Sequence, residues 1–154
     1  MVKIIVFDID GVLTDGMVQI DENGNEYKRF LLNDIDALNQ LIRDGFIVCA
    51  ITGEDTPLAD YFGRRVPWKH FVKGCKKKLA AFQELLAQEN CPLEEAAYIG
   101  DGLYDVPVLE YAVHSLCPAN AVLAAKAASK IHLQNSGGQG CIVELYELIK
   151  SGKF

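Results

Sequence analysis

The chain has 154 residues, of which 50% are hydrophobic and 23% charged, with 15 Lys and Arg against 21 Asp and Glu and a net charge of −6. This length and composition predict one folded domain, residues 1–154, that needs neither a disulfide nor a metal to fold. The acidic balance argues against binding to nucleic acid or to an anionic membrane, because both require a surplus of lysine and arginine. No apolar run approaches the ~20 residues of a membrane span. Five cysteines without a Cys-x-x-Cys pair, and the lack of an N-terminal leader, favour small core residues in a cytoplasmic protein.

The hydrophobic pattern predicts repeated β-α units. Short apolar segments alternate with longer amphipathic ones, which is typical of a parallel sheet. Strands are predicted at residues 2–7, 46–51, 70–72, 96–99 and 113–116, and helices at residues 33–43, from about 57, and at 77–88, 120–128 and 142–150. The predicted fold is therefore an α/β, Rossmann-like, three-layer α/β/α fold with a mainly parallel sheet.

One segment after the first strand breaks this alternation. Residues 17–20 and 26–30 flank a polar stretch that contains Asn23-Gly24, the dipeptide that favours a tight turn between antiparallel strands. The segment therefore predicts a β-hairpin insertion. An isolated hairpin is marginally stable in water, so we expect it to pack against the main domain or a second subunit.

Polar side chains follow three of the predicted strands, and a lysine run precedes a helix. The first strand is followed by Asp8 and Asp10, the second by Thr52, Gly53 and Glu54, the one at 96–99 by Asp101 and Asp105, and the helix between the last two strands begins at Lys76, Lys77 and Lys78. The carboxyl ends of parallel strands meet at one edge of the sheet, where ligands bind. We therefore expect these side chains to converge.

Converging carboxylates repel one another unless a cation neutralises them, and oxygen donors of this kind select Mg²⁺. A lysine and a threonine hydroxyl at the same edge would bind phosphoryl oxygens. The combination indicates phosphoryl transfer.

Each aspartate taken alone has a structural interpretation as a turn former or helix cap, and three adjacent lysines are commonly a solvated patch. The glycine-rich run at 136–140 is interpreted as a loop, because it matches no Walker or dinucleotide motif.

The order of these motifs resembles that of the haloacid dehalogenase-like phosphatases. Asp-x-Asp-Gly follows the first strand, Thr-Gly the second, Lys precedes a helix, and Gly-Asp-x-x-x-Asp follows a later strand. The strings FDIDGVLTDG at 7–16 and SGGQG at 136–140 resemble the capless subgroup, which contains the phosphatases of 3-deoxy-D-manno-octulosonate 8-phosphate and 2-keto-3-deoxynononate 9-phosphate. The short spacings between the motifs leave no room for a large cap domain.

The resemblance implies the catalytic and metal-binding residues. Asp8 would be the nucleophile that forms an aspartyl-phosphate, and Asp10 would protonate the leaving oxygen and then activate water. Asp8, the backbone carbonyl of Asp10, and Asp101 would hold Mg²⁺.

The same resemblance implies the residues that bind substrate. Thr52 and Lys78 would hold the phosphoryl group, with Gly53 and Glu54 beside them. Lys78 is preferred over its two lysine neighbours because the motif places the lysine directly before the leucine of the following helix. Asp105 would orient Lys78 or a water of the metal rather than bind the metal directly.

Three positions depart from the subgroup pattern. Glu54 replaces the arginine of the octulosonate enzymes and matches the nononate enzymes, which shifts the expected substrate towards a nine-carbon keto acid phosphate. Gly102 replaces a second aspartate near the metal. Val143 replaces an arginine associated with recognition of the substrate carboxylate, a role that could pass to Arg64, Arg65 or Lys69.

The resemblance also implies that the hairpin builds a homotetramer whose neighbouring subunits close each active site. Three other functions remain open. The same chemistry could act on another small phosphorylated metabolite, or the chain could be a weakly catalytic oligomerisation module related to those fused to nucleotide-sugar synthetases. A phospho-accepting receiver is the third, although the order of its motifs differs.

Overall fold

A six-stranded parallel sheet forms the centre of the protein, in a computed structural model that describes all 154 residues. The eight strands of the chain are β1 (Ile4–Phe7), β2 (Gln19–Ile20), β3 (Glu26–Tyr27), β4 (Ile47–Ile51), β5 (His70–Val72), β6 (Ala96–Ile99), β7 (His114–Cys117) and β8 (Ile131–His132). The central sheet has the order β5-β4-β1-β6-β7-β8, and every neighbouring pair is parallel. The predicted fold class is confirmed.

Helices cover both faces of this sheet. The six helices are α1 (Leu32–Arg43), α2 (Pro57–Arg65), α3 (Lys78–Gln88), α4 (Val106–Tyr111), α5 (Leu123–Ala128) and α6 (Cys141–Lys150). Alternate residues of β1 point to opposite faces: Ile5 and Phe7 pack with α1, α2 and α6, while Ile4 and Val6 pack with α3, α4 and α5. Burial on both faces explains why the strands are continuous apolar runs.

The ends of the early helices follow local sequence signals. Helix α1 buries Ile35, Leu38 and Leu41 at helical spacing, and Gly45 follows it with a φ of +93°, which glycine adopts without steric cost. The Thr56 hydroxyl caps α2 by accepting a hydrogen bond from the Ala59 amide at 3.2 Å.

Two short elements lie outside the sequence prediction. Helix α4 has six residues and β8 has two. Elements of this length contain too few residues to display a periodic pattern. Tertiary contacts hold them instead, since α4 buries Val108 and Leu109 and β8 pairs with β7. The predicted helix at 120–128 is shorter in the structure, where α5 begins at Leu123.

The predicted hairpin is present as a separate two-stranded antiparallel sheet of β2 and β3. The Asp21 carboxylate accepts hydrogen bonds from the backbone amides of Asn23 and Asn25, both at 2.9 Å. Hydrogen bonds from the Asn25 side chain and backbone lower the pKa of Asp21 to about 2. Apolar side chains of the hairpin segment are largely exposed in the single chain, with Met17 at 70% and Ile20 at 63%.

The cysteines all carry free thiols. Cys49, Cys117 and Cys141 are buried, as predicted, whereas Cys75 and Cys91 are half-buried in loops at the margin of the core. None of the helices combines the length and apolar character that crossing a membrane requires.

Candidate active site

A cavity of about 380 Å³ lies at the carboxyl ends of β1 and β4. It is lined by Asp8, Asp10, Thr52, Gly53, Glu54, Lys76, Lys78 and Tyr104. Because β1 lies between β4 and β6, the residues that follow these three strands are neighbours in space although they are distant in sequence. The sheet order therefore brings the sequence-predicted residues to one edge.

A buried ammonium group links the first and last of these motifs. The Lys78 Nζ lies 2.8 Å from Asp8 Oδ1 and 2.8 Å from Asp105 Oδ1, and the Lys78 side chain is only 5% exposed. Lys76 and Lys77 are exposed. Of the three adjacent lysines, Lys78 is the one that contacts Asp8.

Asp105 uses both carboxylate oxygens within the protein. Its Oδ1 accepts hydrogen bonds from Lys78 and, at 2.6 Å, from the Tyr98 hydroxyl, while its Oδ2 accepts from the backbone amides of Asp101 at 3.1 Å and Gly102 at 2.9 Å. These contacts fix both Lys78 and the loop that carries Asp101. No sequence signal distinguishes Tyr98, because a tyrosine inside a buried strand has the pattern of an ordinary core residue.

Burial, more than the neighbouring negative charge, sets the pKa values of the carboxyl groups in this site. Burial, followed by the charge of Asp105, raises the pKa of Asp8 well above its usual range, and the Lys78 ammonium opposes this shift. Burial and then Asp105 also raise the pKa of Asp101 to about 6. Burial lowers the pKa of Lys78, but the charges of Asp8 and Asp105 outweigh it and raise the pKa.

The carboxylates fit a divalent cation. Ligand oxygens of Asp8, Asp101 and Asp105 all lie within 4.8 Å of one another; since those of Asp105 are already engaged, Asp8 and Asp101 are the better donors. A Cβ built on Gly11, where φ is +89°, would lie 1.9 Å from Asp101 Oδ2. The Asp101 carboxylate therefore packs directly against Gly11, the residue that follows Asp10. Two carboxylates and a carbonyl suit Mg²⁺, which retains several waters.

The side chain of Asp10 points to a different set of partners. Its Oδ1 accepts a hydrogen bond from the Thr14 hydroxyl at 3.2 Å, and its Oδ2 lies 2.9 Å from the ammonium of Lys28. The Lys28 side chain is 5% exposed and also lies 4.0 Å from Glu54. No sequence signal distinguishes Lys28, because a single lysine next to an exposed strand belongs to no motif.

The glycine-rich loop supports the loop that follows β1. The side chain of Asn120 donates a hydrogen bond to the Gly11 carbonyl at 3.0 Å and accepts one from the Gly137 amide at 2.6 Å. A Cβ on Gly137 would lie 1.9 Å from the Gly11 carbonyl oxygen, so only glycine permits this approach. The run is thus a packing loop and does not line the cavity.

The residues suggested as replacements for the missing arginine do not reach the cavity. Arg64, Arg65 and Lys69 are exposed and do not line the cavity. Val143 does not line it either. Lys76 lines the cavity instead, with its Nζ 5.3 Å from the centre of the Tyr104 ring.

Known proteins share this fold and sequence. The family described as haloacid dehalogenase-like hydrolase matches residues 70–142. The 3-deoxy-D-manno-octulosonate 8-phosphate phosphatase of Yersinia pestis is 33% identical over 150 residues, which are 96% of this chain and 79% of that protein. The chain therefore belongs to the haloacid dehalogenase-like hydrolases, and within them to the phosphatases.

Two solved structures of the same kind of enzyme superimpose closely. The crystal structure of the phosphatase from Moraxella catarrhalis, in complex with magnesium, phosphate and KDO, has a TM-score of 0.91 and 30% identity, covering 97% of this chain and 86% of that one. The cobalt-bound form from Haemophilus influenzae has a TM-score of 0.90 and 31% identity, covering 97% of this chain and 88% of that one. The class is thus a phosphatase without a large cap domain.

Proposed function

We propose that the protein is a Mg²⁺-dependent phosphomonoester hydrolase that acts through an aspartyl-phosphate on a 2-keto-3-deoxy sugar acid phosphate. The observation that carries this proposal is the contact between Asp8 and the buried Lys78 ammonium, 2.8 Å apart at the end of the central strand. We further propose that residues 1–154 act as one domain in a cytoplasmic homotetramer.

Asp8 is the nucleophile of the first step. One of its carboxylate oxygens attacks phosphorus, the bond from phosphorus to the sugar oxygen breaks, and Asp10 gives its proton to that leaving oxygen. In the second step Asp10 takes a proton from the attacking water, the bond between Asp8 and phosphorus breaks, and inorganic phosphate leaves. Two displacements replace one more difficult one.

Thr52 and Lys78 hold the phosphoryl group during both steps. Both side chains line the cavity beside Asp8, and Thr52 is 1% exposed. Charged and polar donors fixed in a buried site stabilise negative charge that develops on phosphoryl oxygens. Mg²⁺, held by Asp8, Asp101 and the Asp10 carbonyl, would supply further positive charge to the phosphate and the carboxylates. Asp105 keeps Lys78 in place.

The relatives support the proposed substrate class. The Yersinia and Moraxella enzymes are phosphatases of an eight-carbon keto sugar acid phosphate, whereas Glu54 at the cavity is the feature that favours a nine-carbon one. The proposal covers the class that contains both compounds. The ratio of kcat/KM for the two substrates identifies the better one.

The test is phosphate release from both keto sugar acid phosphates and from simple phosphomonoesters, with Mg²⁺ or with a chelator. We expect release only with the metal, and a loss of at least ~1,000-fold in Asp8→Asn, since removal of a nucleophile leaves only residual catalysis. Asp36→Asn is the matched control, because Asp36 is exposed on α1 and the charge change is the same.

Equal turnover by the wild type and Asp8→Asn would remove Asp8 as the nucleophile. A wild-type protein without activity on any phosphomonoester would instead favour the oligomerisation module. Preference for a phosphate that lacks the keto acid would retain the chemistry and replace the substrate class.

A further inference from the structure

The positive charges around the cavity differ in whether a carboxylate already neutralises them. Lys78 lies between Asp8 and Asp105, and Lys28 lies between Asp10 and Glu54. The third ammonium group, that of Lys76, has no carboxylate oxygen within 4.0 Å, although its side chain lines the same cavity.

The structure holds Lys76 at the mouth of the cavity. Its Cγ would lie 3.9 Å from a Cβ built on Gly53, so the side chain runs alongside the Thr52-Gly53 turn. Its Nζ lies 5.3 Å from the centre of the Tyr104 ring, which also lines the cavity. An ammonium over an aromatic face is held weakly at an exposed site, so Lys76 is oriented and remains free to bind an anion.

A substrate with two anionic groups matches this distribution of charge. Its phosphate would occupy the inner end of the cavity, beside Thr52 and Lys78. A carboxylate at the far end of the sugar would then need a cation near the mouth, and the other cations that line or adjoin the cavity are already paired. The phosphate of a sugar that lacks a carboxylate would leave Lys76 without an ion pair.

We propose that Lys76 binds the carboxylate of the substrate and thereby selects phosphates of sugar acids over phosphates of sugars that lack a carboxylate. This inference rests on the proposed phosphatase function and deepens it. Lys76 takes the place of the arginine that Val143 replaces, and Tyr104 positions it.

The test compares Lys76→Met with Lys77→Met, which removes the same charge from the adjacent exposed residue that does not line the cavity. For Lys76→Met we expect the KM for 3-deoxy-D-manno-octulosonate 8-phosphate to rise about fivefold, with a much smaller change in kcat, because loss of one solvent-accessible ion pair weakens binding. Inhibition constants for inorganic phosphate and for mannose 6-phosphate, which lacks a carboxylate, should stay within about twofold of wild type. Lys77→Met should change none of these constants, and Lys76→Arg should restore most of the affinity.

Three results would overturn the inference. An equal loss of affinity for phosphate and mannose 6-phosphate would mean that Lys76 contacts the phosphoryl group. The same rise in KM for Lys77→Met would indicate a general effect of surface charge, and an unchanged KM for Lys76→Met would mean that Lys76 contacts no part of the substrate. Failure of the phosphatase proposal is distinguishable, because it appears in the wild type and in Asp8→Asn rather than in the Lys76 variants.

Discussion

At the residue scale, the site depends on buried ion pairs that join distant parts of the chain. Asp8 and Asp105 are each within 2.8 Å of the same ammonium group, and all three side chains are 8% exposed or less. Removing one partner of such a group leaves uncompensated charge, which costs more than the pair itself contributes. Function and stability are therefore coupled at Lys78.

Lys78→Met should lower kcat by ~100-fold or more, because the developing phosphoryl charge loses its buried cation. It should also destabilise the fold by ~3 kcal/mol, since Asp8 and Asp105 are left unpaired. Phosphate release and urea unfolding measure the two effects. Lys77→Met removes an exposed charge at the start of α3 and should change neither kcat nor the free energy of unfolding. A similar loss of kcat in both variants would contradict the specific role of Lys78.

Lys28 offers a second test at this scale. Its ammonium contacts Asp10 at 2.9 Å from within the hairpin segment, so Lys28→Met should release the Asp10 carboxylate from its position and lower kcat by ~10-fold or more. Arg29→Met, next in the chain, removes an 82%-exposed cation bound to Asp15 and is the control. Unchanged kcat in Lys28→Met would show that Asp10 is held well enough by Thr14.

At the scale of elements, one helix supplies the N-terminal cap of another. The Asp34 carboxylate of α1 is fully buried and accepts hydrogen bonds from the backbone amides of Gly140, Ile142 and Val143 at the start of α6, each at 3.1 Å. Helix N-termini leave amides without intrahelical partners, and Gly140 itself has no side chain to cap them. The contact fixes α6 to α1 and positions the glycine-rich loop beside the loop after β1.

Asp34→Ala should therefore destabilise the protein by ~2–3 kcal/mol, because three amides lose their acceptor in a buried environment. Asp36→Ala, two positions later on the exposed face of the same helix, should stay within ~0.5 kcal/mol of wild type. Urea unfolding followed by the fluorescence of the single tryptophan, Trp68, measures both. Equal urea midpoints for Asp34→Ala and the wild type would contradict the capping role of Asp34.

At the scale of the whole molecule, the exposed apolar hairpin is the feature that a monomer leaves unexplained. Met17, Val18, Ile20 and Tyr27 are between 44% and 70% exposed. A two-stranded hairpin is weak by itself, and a contiguous apolar surface of this kind is typical of an interface. These observations are consistent with an interface between copies of the chain, which the proposed homotetramer requires.

Light scattering at micromolar concentration should give the mass of four chains, and the double variant Met17→Lys, Ile20→Lys should give a smaller species. Burying two added charges at an apolar interface opposes association. Tyr111→Lys, on α4 outside the hairpin, should leave the mass unchanged. A monomeric wild type would refute the tetramer.

Sequence alone determined the order of the main elements and the chemistry of the sheet edge. Buried parallel strands appear as apolar runs, and the apolar positions of an amphipathic helix recur every 3.6 residues. Like the Asn23-Gly24 turn, each of these signals lies within a short stretch of chain. The placement of Asp8, Thr52 and Asp101 at one edge followed from the geometry of any parallel sheet.

Which of these side chains contact one another depends on the three-dimensional path of the chain. Lys76, Lys77 and Lys78 are chemically identical, and the direction in which α3 begins is what buries the last of them against Asp8. The contacts of Lys28 with Asp10, Asp34 with the start of α6, and Asn120 with Gly11 join residues 18 to 109 positions apart. No local pattern encodes such pairs, because the path of the whole chain brings them within hydrogen-bonding distance.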